Sequence, residues 1–188
     1  MAAERVARTR IRLIVLVGAV LIAAALLWRA ALERPDELPP PLTGSDSTSA
    51  GMRAVPLWFA SADAESLVME PRELPERSDL HERVAALVAA LEQGPRQGGL
   101  RAIPEGTLVM HVYMDDAGLL TLDLSRAFRQ GFKGGARAEE LALGALIRTL
   151  SASVPEARHI RIVCAGSPLA SFGGHFPLDQ PLDPNDWP

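Results

Sequence analysis

Asp123 and Ser125 stand two residues apart in Leu-Asp-Leu-Ser, on a segment with alternating apolar residues, so both side chains project from the same face of a strand. An acid and a hydroxyl so placed become an acyl-transfer site if a histidine joins them, taking the hydroxyl proton while the acid holds the imidazole. The chain supplies His81, His111, His159 and His175, all on separate segments, and it has no Gly-x-Ser-x-Gly elbow to expose a nucleophile. Asp123 and Ser125 serve equally to end a strand by hydrogen-bonding the neighbouring loop backbone, and that structural role is the expectation. The histidines also lack metal-ligand spacing, with no His-Glu-x-x-His. His81 is predicted on the exposed face of a helix, and His111 mid-strand as a hydrogen-bonded side chain. Cys164 alternates with Ile160 and Ile162 and reads as a buried structural thiol; as the single cysteine it excludes an intrachain disulfide and a multi-cysteine metal site. Gly94-Pro95-Arg96-Gln97-Gly98-Gly99 is glycine-rich, but it follows a helix and precedes a strand, whereas phosphate loops precede a helix. No catalytic residue, cofactor or metal is expected.

The best local candidate for binding is a basic segment, Arg126, Arg129, Lys133 and Arg137, interleaved with Phe128 and Phe132 and carrying Gly131, Gly134 and Gly135. Exposed rings supply contact area and arginines directional donors, so a loop of this composition can dock a protein or an anionic polymer. The plainer alternative is a solvated loop. The segment interrupts an acidic body. Net charge over the 188 residues is −4, yet Arg5, Arg8, Arg10 and Arg12 against Glu4 give the first twelve a local +3, leaving −7 for the rest. An acidic body argues against nucleic acid as the partner.

Those N-terminal arginines precede an uncharged run from Leu13 to Trp28, which Ile11 and Ala30-Ala31-Leu32 extend to about 20 residues if Arg12 and Arg29 reach the two interfaces. The positive-inside rule puts the N-terminus in the cytoplasm and exports the remainder. A cleaved leader is the alternative, but Ala23-Ala24-Ala25 lies inside the apolar run, a poor place for cleavage, and no cysteine near its end could carry a lipid. The expected organisation is a cytoplasmic basic segment at 1–12, a single-pass anchor at 13–32, a Pro/Ser-rich linker at 33–54 and an extracytoplasmic domain at 55–188, in the cell membrane. As a coil the linker spans about 25 Å, and fully extended about 70 Å.

Positioning the candidate residues requires a set of alternating strands and amphipathic helices. Val55, Leu57 and Phe59 mark a strand in which Pro56 implies an edge; Ser66 to Arg72 marks a weaker one, interrupted by Pro71. A helix follows from caps at Ser78 or Asp79, with Leu80, Val84, Leu87 and Leu91 on one face and Gly94-Pro95 as its stop. Thr107–Met114 and Leu119–Leu124 form a hairpin about Asp115-Asp116-Ala117-Gly118. Ala136 to Ser151 is a second, broadly apolar helix, and Ile160, Ile162 and Cys164 lie on a last strand closed by Gly166. The order β-β-α-β-β-α-β predicts an α+β domain, a mixed sheet of about five strands with two helices packed on one face.

The residues Leu91…Gly94-Pro95…Gly99-Leu100…Ile103-Pro104-Glu105-Gly106-Thr107, followed by Gly118…Leu122-Asp123-Leu124-Ser125…Phe128 and Thr149-Leu150…Ile160-Arg161-Ile162, resemble the GerMN domain of sporulation and spore-germination proteins. The resemblance covers about residues 55–180 and departs at Ala165-Gly166, where the family often has Asp-Gly or Asn-Gly. It implies a non-catalytic interaction module outside the cytoplasmic membrane, in envelope assembly or signalling, with an envelope protein or anionic envelope polymer as partner and oligomerisation open. The alternative function is a small envelope hydrolase or polymer-binding accessory using Asp123, Ser125 and a histidine.

Overall fold

The computed structural model describes residues 51–188. The expected cytoplasmic segment, the anchor at 13–32 and the linker up to residue 50 lie outside the described residues. Among the described residues no helix is long and apolar enough to cross a membrane.

Among the described residues, six strands and three helices follow in the order β1 (Met52–Ala60), β2 (Leu67–Pro75), α1 (Leu80–Gln93), β3 (Val109–Met114), β4 (Leu119–Leu124), α2 (Arg126–Gly131), α3 (Ala136–Ser153), β5 (His159–Cys164) and β6 (Ser167–Pro168), with a 3-10 turn at Pro184–Asp186. β1 takes in residues 52–54, which the sequence pattern assigns to the linker. The caps of α1 are those the sequence marks. Asp79 accepts from the Glu82 N–H at 2.9 Å, and Gly94 ends the helix at φ 85°.

The strands do not form one sheet. β1 and β2 make a two-stranded antiparallel sheet, and β3-β4-β5-β6 a separate four-stranded one in which β4 and β5 run parallel. The reason lies on the flank of β1, where α3 packs instead of a further strand. The Trp58 N–H donates to Thr149 Oγ1 of α3 at 3.0 Å, so a helix side chain takes the hydrogen bond that a neighbouring strand would have made. Gly144 sits where a Cβ would come within 3.1 Å of Leu67, so α3 carries no side chain at that point of its approach to the hairpin. The prolines fit this arrangement. Pro56 and Pro71 face each other in register on two strands that each have a single strand neighbour.

The four-stranded sheet has a dry and a wet face. Leu120, Leu122, Leu124, Ile160 and Ile162 are buried in one cluster with Val84, Leu87 and Leu91 of α1 and Leu143, Leu146 and Leu150 of α3. The two long helices thus share one hydrophobic cluster with the apolar side of this sheet. His111 and Tyr113 are exposed on the opposite side, with Thr121 and Arg161 half-buried beside them.

Candidate functional site

β4 delivers Asp123 and Ser125 to the end of the sheet, where both are committed to backbone. The Asp123 carboxylate accepts from the Gly166 N–H at 3.0 and 3.1 Å, fastening β4 to the β5–β6 turn. Ser125 Oγ accepts from the Leu108 N–H at 3.0 Å and donates to the Gly106 carbonyl at 3.2 Å, fastening the start of β3. His111, opposite Asp123 across a bulge in β3, places Nδ1 3.4 Å from Asp123 Oδ2. Among the described residues no histidine hydrogen-bonds Ser125, whose proton already serves Gly106. His81 is half-buried rather than exposed, and half-buried Cys164 directs Sγ to the Ser125 carbonyl at 3.5 Å. Among the described residues no group of three or more His, Cys, Asp or Glu side chains could hold a metal ion.

The basic segment is no open loop. Residues 126–131 form α2, and this divides the six candidates by fate. Phe128 is fully buried and stacks on Phe172 at a centroid distance of 4.2 Å; Phe132, half-buried, tilts against the other side of that contact, also at 4.2 Å from Phe172. Phe128 therefore belongs to the core rather than to a recognition surface, because burying its ring against Phe172 removes more apolar area from water than display would. Arg137 is taken up structurally, pairing with Glu140 at 2.7 Å and donating to the Glu65 carbonyl. Gly131 and Gly134 serve close packing, whereas Gly135 faces open space. A Cβ on Gly131 would lie 2.6 Å from Pro104, and one on Gly134 would lie 2.7 Å from the Phe132 ring.

Arg126 and Arg129 remain exposed. Three residues apart on one helical face, they line a cleft of about 520 Å³ with Gln130, Cys164, Ser167 and Pro168. Among the described residues neither forms an ion pair. Lys133 lies apart from them, lining a second concavity of about 340 Å³ with Arg101, Ile103 and Phe132. The structure thus separates the predicted patch into a two-arginine shoulder, a lysine beside another hollow, and three residues used in packing or in structural bonds.

Three functional-looking side chains in the structure escape the sequence pattern, and all are buried. Arg72 donates to the Ala90 and Gly94 carbonyls at 3.1 and 3.0 Å, closing the C-terminal end of α1, and pairs with Glu70. Glu70 in turn accepts from the Arg96 N–H at 2.8 Å, so the glycine-rich loop is shaped around a carboxylate instead of around a phosphate. Burial would raise the Glu70 carboxyl, but the Arg72 guanidinium and the loop N–H groups outweigh it and hold it below the usual range. Glu139, in the first turn of α3, accepts from the Gly173 and His175 N–H groups at 2.6 and 2.9 Å and contacts His175 Nδ1 at 2.8 Å. Burial opposes its charge as well, and these donors with the Phe176 N–H prevail, leaving its carboxyl low. A signal for Glu139 was available, since it shares a helical face with Leu143, Leu146 and Leu150. For Glu70 and Arg72, Leu67-Val68-Met69 ahead of them hides any alternation.

The class this α+β fold belongs to is the GerMN type, on the strength of a family match over most of the domain. The family model for sporulation and spore germination, Germane, matches residues 56–170, and the chain belongs to that family. Three solved structures share the fold. The tandem GerMN domains of the sporulation protein GerM from Bacillus subtilis align with a TM-score of 0.59 at 17% identity, over 72% of this chain and 48% of that one. The first GerMN domain of the same protein gives 0.55 at 16%, over 71% and 99% respectively. A chain described as a candidate lipoprotein from Clostridium perfringens gives 0.52 at 24%, over 73% and 91%. No curated protein matches the chain.

Proposed function

We propose that this chain is a membrane-anchored, extracytoplasmic interaction module of the bacterial envelope, acting in assembly or signalling without catalysis. The observation that carries this reading is the allocation of polar groups. Asp123 and Ser125 are consumed by backbone hydrogen bonds, while Arg126 and Arg129 stand unpaired over a cleft. Two guanidinium groups on one face suit a carboxylate or another oxyanion on an envelope protein or anionic envelope polymer. The apolar run at 13–32 with its flanking arginines supports the anchor and the orientation, and a lipoprotein neighbour of the same fold agrees with an extracytoplasmic setting.

The test is crosslinking in intact cells with a reagent that does not cross the cytoplasmic membrane, followed by recovery of the full-length chain. The wild type should capture a partner. Arg126→Glu with Arg129→Glu should lose it while the melting temperature stays put, since exposed charges alter stability by about 0.5 kcal/mol or less. An unlabelled chain would refute the location, and an identical partner set in the variant would refute the arginine shoulder.

A further inference from the structure

The open end of the β1–β2 hairpin, the N-terminal half of α1 and the last residue of α3 meet around a cavity of about 330 Å³, remote in sequence from the arginine shoulder. Val55, Leu74 and Leu87 give it an apolar lining. Arg53, Arg77 and Arg83 give it a basic one, against Glu76 as the single lining acid. Existing ion pairs engage this cluster loosely. Arg77 lies 3.4 Å from Glu82 and Arg83 lies 3.8 Å from Glu156, while Arg53 has no such partner among the described residues. Three loosely engaged guanidinium groups against one acid, beside an apolar lining, point to an anionic ligand with an apolar part.

We infer that this cavity binds a small carboxylate bearing a short apolar group, of the size of an N-acylated aliphatic amino acid. The carboxylate sits among the guanidinium groups of Arg53, Arg77 and Arg83, and the apolar group covers Val55, Leu74 and Leu87. A carboxylate suits the site better than a phosphate, because its two oxygens match a guanidinium edge and leave no third charged oxygen against the apolar lining.

The experiment titrates the full-length chain in detergent with N-acetyl-leucine, followed by calorimetry, with N-acetyl-leucine amide and inorganic phosphate in parallel. The acid should bind at least about tenfold more tightly than either control. Arg83→Gln should weaken it about tenfold, and Arg53→Gln, an exposed substitution that leaves folding intact, about threefold. Arg126→Gln should leave it unchanged, which separates this site from the shoulder. Absence of binding, equal binding of acid and amide, equal binding of phosphate, or loss on Arg126→Gln would each overturn the assignment. So would unchanged affinity in Arg53→Gln if Arg83→Gln fails to fold.

Discussion

The two antiparallel hairpins are held to the same core by opposite means. β3–β4 is anchored by hydrocarbon: Leu120, Leu122 and Leu124 are fully buried, and β5 continues the sheet beside them. β1–β2 turns Leu57 and Phe59 inward from one strand, but its second strand buries Glu70 and Arg72. That pair is wired to the end of α1 and the loop beyond it, and Arg72 also lies over the Phe59 ring at 5.5 Å. Apolar burial is non-directional and adds up by area, so the first kind of anchoring tolerates small shifts. A hydrogen-bonded ion pair tolerates few, and it fixes where the hairpin sits as well as how firmly.

Replacing a central apolar anchor should have the largest effect. Leu122→Asp buries an unpaired charge among leucines and should cost more than about 4 kcal/mol, seen as loss of the cooperative thermal transition. A normal melt would mean that β4 is not the core strand it is taken to be. Next comes the ionic anchor. Arg72→Met should cost about 3–5 kcal/mol because Glu70 is left charged and buried. Adding Glu70→Gln should recover part of that loss, since the amide removes the charge and still accepts from the Arg96 N–H. If the double variant is no more stable than Arg72→Met alone in denaturant titration, the pair does not hold the hairpin as described.

Glu139→Gln should have the smallest effect, about 1–2 kcal/mol at neutral pH. Its signature is in the pH dependence. The folded-state carboxyl lies below the ordinary value of 4.5, so the unfolded chain binds more protons between the two values. The stabilisation it confers is complete above about pH 4.5 and is lost as pH falls through the folded-state value. The gap between wild type and Glu139→Gln should therefore narrow in acid, while Glu70, also held low, leaves both proteins an acid dependence that cancels in the gap. A gap that stays constant with pH would show that His175 and the N–H donors do not stabilise a charged carboxylate.

Most elements are legible because their signals are local. Asp79 and Gly94 frame α1, Asp115 accepts from Ala117 and Leu119 in the predicted turn, and the strand through Ile160 and Ile162 stands where alternation puts it. The division into two sheets is not local. It depends on Thr149 of α3 meeting the edge of β1 across 91 residues, which no window of sequence displays. The candidate patch failed in part for the same reason. Phe128 and Phe132 look available for binding until the distant Phe172 comes to lie against them. The exposure of Arg126 and Arg129 is legible because a charge on a short helix needs no distant partner to stay at the surface.

Arg148 has a consequence for how the domain comes to be made. Its guanidinium lies over the Trp58 ring at 5.7 Å and donates to the Trp187 and Pro188 carbonyls at 2.9 and 2.7 Å, so one side chain clasps the first strand and the last residues together. Leu182, buried and bridged to Ile160, adds a second late contact. A chain emerging N-terminus first cannot form either until residues 182–188 have appeared, and until then the first hairpin and α3 wait with their apolar sides incompletely covered. The tail thus works as a latch, and the domain closes only when residues 182–188 dock on α3 and β5.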